Sequence, residues 1–206
     1  MNFRQKLGVL QNRGPNFFSR VNVRSLPYLT GRPRIALLAM GPHRIFCAIG
    51  RNGIGAKRHE GDGITPVGRF MVIDWLRRPD SWSIFRRDSH AIERRDGWCD
   101  DPKSHSYNRQ VVLPFRARTE ALWRDDHVYD LVGLLDFNWR PRMLGRGSAI
   151  FLHIAHSDYR ATAGCLALSR SDMQKVPLLW RRRLQVDIGG FSVRTRAPKI
   201  AEPTRT

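Results

Sequence analysis

Short apolar runs separated by turn residues recur along the chain, and their lengths point to strands rather than helices. Ile35–Met40 and Arg44–Ile49 flank a Gly41-Pro42 turn and predict a hairpin, closed by Gly50, Gly53 and Gly55. Phe70–Leu76 and the strongly apolar Tyr129–Phe137 predict two more strands. Ala149–Ile154 is rich in β-formers and predicts a buried strand. Leu184–Ile188 and Phe191–Arg194 predict a last hairpin around Gly189-Gly190. Helix signals are fewer. Thr119–Arg124 is a candidate short helix, and Ser169 or Ser171 can cap a run toward Arg183 that Pro177 interrupts. Residues 1–32 lack periodicity and predict an irregular arm, leaving a domain over 33–195 and a tail over 196–206. The expected fold is therefore mostly β, a single domain with one or two short helices.

At 206 residues the chain can bury one substantial core. No run approaches the ~20 apolar residues of a membrane-spanning helix, and a mean hydropathy of -0.44 predicts a soluble globular protein. Net charge is +18, and 31 of the 36 basic residues are arginines. Such charge suits a polyanionic partner. The arginines are spread along the chain with no helix-turn-helix, zinc-finger or RNP-type motif, so nucleic acid is not expected, whereas an anionic polymer of the cell envelope fits equally well. The basic stretch at the N-terminus lacks the continuous apolar region of 7–15 residues that marks a secretory signal.

Three cysteines, Cys47, Cys99 and Cys165, show no metal-ligand spacing, and neither a metal nor a cofactor is expected. Cys47 lies in an apolar run and predicts a core thiol. Cys99, in Gly97-Trp98-Cys99-Asp100-Asp101-Pro102, reads as a loop residue. Cys165 has different company. In FLHIAHSDYRATAGCLAL, residues 151–168, His153 ends a strand, a polar loop follows, and Gly164-Cys165 opens a second apolar run. A strand–loop–strand return would bring His153 to Cys165 across twelve positions. A free thiol has a pKa of roughly 8.5, and a nearby imidazole can take its proton and hold the ion pair. Glycine before the cysteine permits a tight backbone whose Gly164 and Cys165 amides point outward, as an oxyanion site needs. Read alone, the stretch fits a buried structural thiol as well as a nucleophile.

The second unusual stretch is Lys57 to Phe70, with Gly61, Asp62, Gly63, Thr65, Pro66 and Gly68 making a turn-dense entry into a strand. GDGITPVGRF resembles the G-D-x-x-T-P-x-G-x-F signature of the YkuD-type L,D-transpeptidase catalytic domain. His153 followed by Thr162-Ala163-Gly164-Cys165 resembles that family's upstream histidine and S-x-G-C nucleophile motif, in the same order and spacing. The resemblance spans residues 33–195, and the segments at 97–109 and 145–153 are similar to a proteobacterial branch.

The resemblance implies a β-sandwich with a catalytic cleft. It also implies a cysteine enzyme that attacks the L,D bond between diaminopimelate and D-Ala in a peptidoglycan tetrapeptide stem. D-Ala leaves, and an amine of a neighbouring stem resolves the thioester into a 3-3 cross-link. Cys165 takes the nucleophile's place and His153 the base's, with His156 a weaker candidate. Gly164 and Cys165 supply oxyanion amides, and Thr162 stands for the usual serine. The family's histidine before Gly-Cys is Ala163 here, and its arginine two residues after the cysteine is Ala167. Arg146 is therefore expected to meet the substrate carboxylate, with Tyr107 lining the cleft. G-C-x-A-L is also similar to a hydrolytic branch, so an L,D-carboxypeptidase or an amidase stands beside the transferase. A basic polyanion-binding module with an idle thiol is the alternative of another class. The resemblance implies a periplasmic or envelope location and a carbapenem-sensitive thiol, while the lack of a recognisable signal peptide leaves the cytoplasm open.

Overall fold

The computed structural model describes residues 20–26, 34–81, 89–176 and 184–189, and it begins with a strand inside the expected irregular arm. Strand β1 (Arg20–Ser25) alternates correctly for a sheet: Val21 and Val23 are fully buried. Two valines are too few to announce a strand in sequence. Pairing on both sides supplies the rest, antiparallel to β2 (Ile35–Met40), with Val23 opposite Leu38, and parallel to a C-terminal strand, with Val21 opposite Val186. β2 and β3 (His43–Ala48) form the predicted hairpin, with Met40 opposite His43 across the turn.

The next elements frame the second motif. β4 (Ile54–Gly55) and β5 (Thr65–Pro66) form a two-residue parallel pair at the ends of the 56–64 loop. β6 (Gly68–Arg77) covers the predicted 70–76 strand, and β7 (His90–Ala91) lies parallel to its end. β8 (Asp96–Cys99), β9 (Arg109–Val112) and β10 (Thr119–Ala121) make a separate antiparallel sheet. Two expectations fail there. Cys99 is a fully buried strand residue rather than a loop residue, paired with Arg109 and Thr119. The 119–124 stretch begins as an edge strand instead of a helix: Glu120 pairs with Trp98 across the ladder, which outweighs a weak local helix signal.

β11 (Leu131–Leu135), β12 (Phe151–Ile154), β13 (Leu166–Leu168), helix α1 (Arg170–Lys175) and β14 (Gln185–Ile188) complete the chain. Ser169 caps α1 by accepting the Asp172 amide at 3.1 Å. The last helical residue is Lys175, and Val176 follows as its C-cap, its amide donating to the Asp172 carbonyl at 3.0 Å. The rest of the run toward Arg183 and the hairpin partner Phe191–Arg194 lie outside the described residues. Among those described, no helix is long and apolar enough to cross a membrane.

From β11 the large sheet runs β12, β13, β3, β2, β1, β14 and β6, and β6 pairs back onto β11. The two expected layers are thus opposite walls of one sheet closed on itself, with β7 added beside the end of β6. Period-two alternation then divides the side chains of β11 and β12 between two cores. Leu131, Leu152 and Ile154 fill the interior of the closed sheet with Leu38, Met40 and Val186. Val132, Leu134 and Phe151 face outward and pack with Trp98, Leu122 and Tyr129 beneath the small sheet. Trp98 stands edge-on to Phe151 with ring centres 5.1 Å apart. His153 has the parity of Phe151, so it too points outward, into the seam between the two sheets.

Candidate active site

A cavity of ≈ 240 Å³ opens along that seam, and both His153 and Cys165 line it. β12 and β13 are parallel neighbours, with Leu152 opposite Leu166 and His153 opposite Ala167. Cys165, immediately before β13, therefore lies close to the histidine strand, as the return loop predicts. The position where the family usually has arginine, Ala167, lies beside His153.

His153 is buried, its Nδ1 lies 2.9 Å from the Ile154 carbonyl oxygen, and the Tyr129 ring stands edge-on with centres 5.2 Å apart. A carbonyl can only accept, so Nδ1 carries the proton and Nε2 is left with its lone pair. Burial pushes the imidazole down to about 4, with Arg124 and His156 adding to the fall. It is neutral at pH 7, the state a general base needs.

Cys165 Sγ donates to the Ala149 carbonyl at 3.0 Å and lies 3.4 Å from the Phe151 amide. Burial pushes this thiol up to about 12, and Glu120 and Glu60 add to the rise while the Phe151 amide and Lys57 oppose it. The expected thiolate–imidazolium pair is thus not the resting state. Desolvation penalises both charged forms, so the thiol and the imidazole that line this cavity are each neutral at pH 7.

Thr162 shapes the turn that carries the cysteine. Its hydroxyl donates to the Cys165 carbonyl at 2.8 Å and accepts the Gly164 amide at 3.1 Å. Gly164, expected as an oxyanion donor, therefore has its N–H committed to Thr162. Its φ of +146 and the 2.9 Å from an added Cβ to the Ile64 carbonyl show why only glycine fits.

The second motif builds the opposite wall. Asp62 accepts the Lys57 ammonium at 2.6 Å, the Arg58 amide at 2.8 Å and the Ile64 amide at 3.0 Å. Burial raises its carboxyl, but these donors outweigh it and hold the group at about 2. The charge that Asp62 anchors is Lys57, 2% exposed at its side chain and lining the cavity. Glu60 lines it as well, accepting hydrogen bonds from the Tyr107 and Ser148 hydroxyls.

Two expected substrate contacts are placed elsewhere. Tyr107 is fully buried behind the cavity wall, where it holds Glu60 and accepts the Gly147 amide at 2.8 Å. Arg146 is exposed, and its guanidinium donates to the Arg58 carbonyl at 3.3 Å. Gly145 and Gly147, both at positive φ, bend the chain on either side of it and set it against the 57–62 loop instead of the cavity. The cations that do line the cavity are Lys57, Arg124 and Arg160. Arg124 is bound to Asp126 at 2.9 and 2.7 Å and to Glu120 at 3.2 Å. Arg160 reaches His156 Nε2 at 2.7 Å. Sequence reading singled out none of these three, although Lys57 stands at the head of the GDGITP stretch. The two arginines were indistinguishable from the 29 others.

The closed β-sheet and the small sheet thus frame a cleft that both segments singled out in the sequence line. A family model, the L,D-transpeptidase catalytic domain named YkuD, matches residues 27–181, and the chain belongs to that family. Comparison with curated proteins found no match.

Proposed function

We propose that the chain is a cysteine-dependent L,D-transpeptidase that forms a thioester on Cys165 with a peptidoglycan tetrapeptide stem and transfers it to an amine. One observation carries the reading: Cys165 and His153 share a cavity, and the Ile154 carbonyl fixes the histidine tautomer that leaves Nε2 free. Attack forms the Sγ–C bond at the L,D carbonyl while the thiol proton moves to Nε2. That proton passes to the departing D-Ala nitrogen as the C–N bond breaks. An acceptor amine then adds to the thioester and gives its proton to His153, which returns it to Sγ as the C–S bond breaks and the new C–N bond forms. Because thiol and imidazole are both neutral at rest, the proton leaves as the sulfur attacks, and Sγ gives up its bond to Ala149. Arg160 meets a stem carboxylate in place of the arginine absent at position 167. The +18 charge suits work on an anionic wall in the cell envelope.

The test is intact-mass analysis with a tetrapeptide stem and, separately, a carbapenem. Wild type should gain the acyl mass on Cys165, and adding an acceptor stem should yield a 3-3 dimer. Tripeptide as the main product would make water the acceptor and the enzyme a hydrolase. Turnover by Cys165→Ala would end the thioester reading altogether.

A further inference from the structure

The wall of the cavity contains an ammonium threaded between two glycines. A Cβ at Gly147 would meet Lys57 Cε at 2.4 Å and Cδ at 2.8 Å, so the lysine stem occupies the space that a side chain there would fill. A Cβ at Gly164 would lie 3.5 Å from Lys57 Nζ, so the head group ends against the backbone next to the nucleophile. Asp62 holds the ammonium at 2.6 Å, and the Ile64 carbonyl lies 3.4 Å away. An ammonium has three donors, and these contacts occupy two. The Gly164 amide is already committed to Thr162. Burial of Lys57 in a poorly hydrated wall makes its charge act more strongly on a neighbouring anion than it would in water.

We propose that Lys57 is the electrostatic stabiliser of the reaction, its ammonium facing the negative charge that develops at Gly164–Cys165 as the carbonyl is attacked. The inference rests on the thioester reading. When Sγ adds to the carbonyl carbon, the carbonyl π electrons move onto oxygen, and a preorganised cation at that point lowers the barrier without reorganising. Lys57 also opposes the rise of the Cys165 thiol. Asp62 is the positioning residue that keeps the ammonium in place.

The experiment compares wild type, Lys57→Gln, Lys57→Arg and Cys165→Ala in two assays: acylation by a tetrapeptide stem, and alkylation by chloroacetamide, which forms no oxyanion. Lys57→Gln should lower kcat of acylation by about 100- to 1,000-fold with KM changed less than about threefold. Its alkylation should fall less than about tenfold, and Lys57→Arg should recover at least about tenfold of the lost acylation. Should Lys57→Gln fold poorly with Asp62 unpaired, Lys57→Gln/Asp62→Asn replaces the ion pair by two amides and should show the same selective loss. Acylation by Lys57→Gln within about threefold of wild type, or equal losses in both assays, overturns the proposal. A wild type that is never acylated overturns the thioester reading instead.

Discussion

The side-chain oxygen of Asn108 accepts the Ala149 amide at 3.1 Å, and the carbonyl of that same alanine accepts the Cys165 thiol at 3.0 Å. Asn108 also accepts the Trp98 indole at 3.1 Å and donates to the Phe137 and Asn138 carbonyls at 3.1 and 3.0 Å. Its own φ of 54 is one that asparagine tolerates better than most residues, and Ala149 sits at a φ of 51. One buried amide thus ties the small sheet, the 137–138 turn and the strand entry that holds Cys165. Asn108→Ala should lower unfolding free energy by about 3 kcal/mol or more, since several buried polar groups lose their partner. Urea denaturation measures it, and a loss under about 0.5 kcal/mol would refute this role.

Alkylation of Cys165 should report its raised thiol. With the group at about 12 and the thiolate as the reactive form, the chloroacetamide rate should climb roughly tenfold per pH unit from 6 to 9 without levelling. A plateau below pH 8.5 would mean that a thiolate–imidazolium pair exists at rest after all.

His153 should make the fold sensitive to acid. It is neutral in the native state down to about 4, whereas in the unfolded chain it takes up a proton below its ordinary 6.5. Its contribution to stability is therefore complete above pH 6.5 and declines as the pH falls from 6.5 toward 4. The loss should reach about 2–3 kcal/mol by pH 4.5. Urea unfolding of wild type and His153→Gln at pH 7 and 4.5 isolates it: the variant should lack this part of the decline, and identical declines would exclude it.

Arg160 and Arg146 should separate cleanly. Arg160→Ala removes a cation from the cavity lining and should lower kcat/KM for tetrapeptide stems by roughly ten- to a hundredfold, chiefly through KM. Alkylation by chloroacetamide should be unchanged. Arg146→Ala, whose guanidinium is bound to Arg58, should stay within about twofold of wild type on stems. A large loss from Arg146→Ala and none from Arg160→Ala would reverse the assignment.

A β-rich domain, the 35–49 hairpin, and the return from the His153 strand to Gly164-Cys165 are legible in the chain, because each is written in local alternation and turn chemistry. The same order of motifs carried the family resemblance. Everything else depended on contacts between segments far apart in the chain. β1 needed neighbours on both sides to become a strand, and Thr119–Ala121 took its conformation from Trp98 across the ladder. Arg146 and Arg160 look alike in sequence, and the backbone path sends one against the 57–62 loop and the other to the cavity. Lys57 is distant from Gly164 along the chain, and two glycines and an aspartate from separate segments bring its ammonium against that backbone. The charge states of Cys165 and His153 follow from burial, a property of the packed molecule that no local pattern encodes.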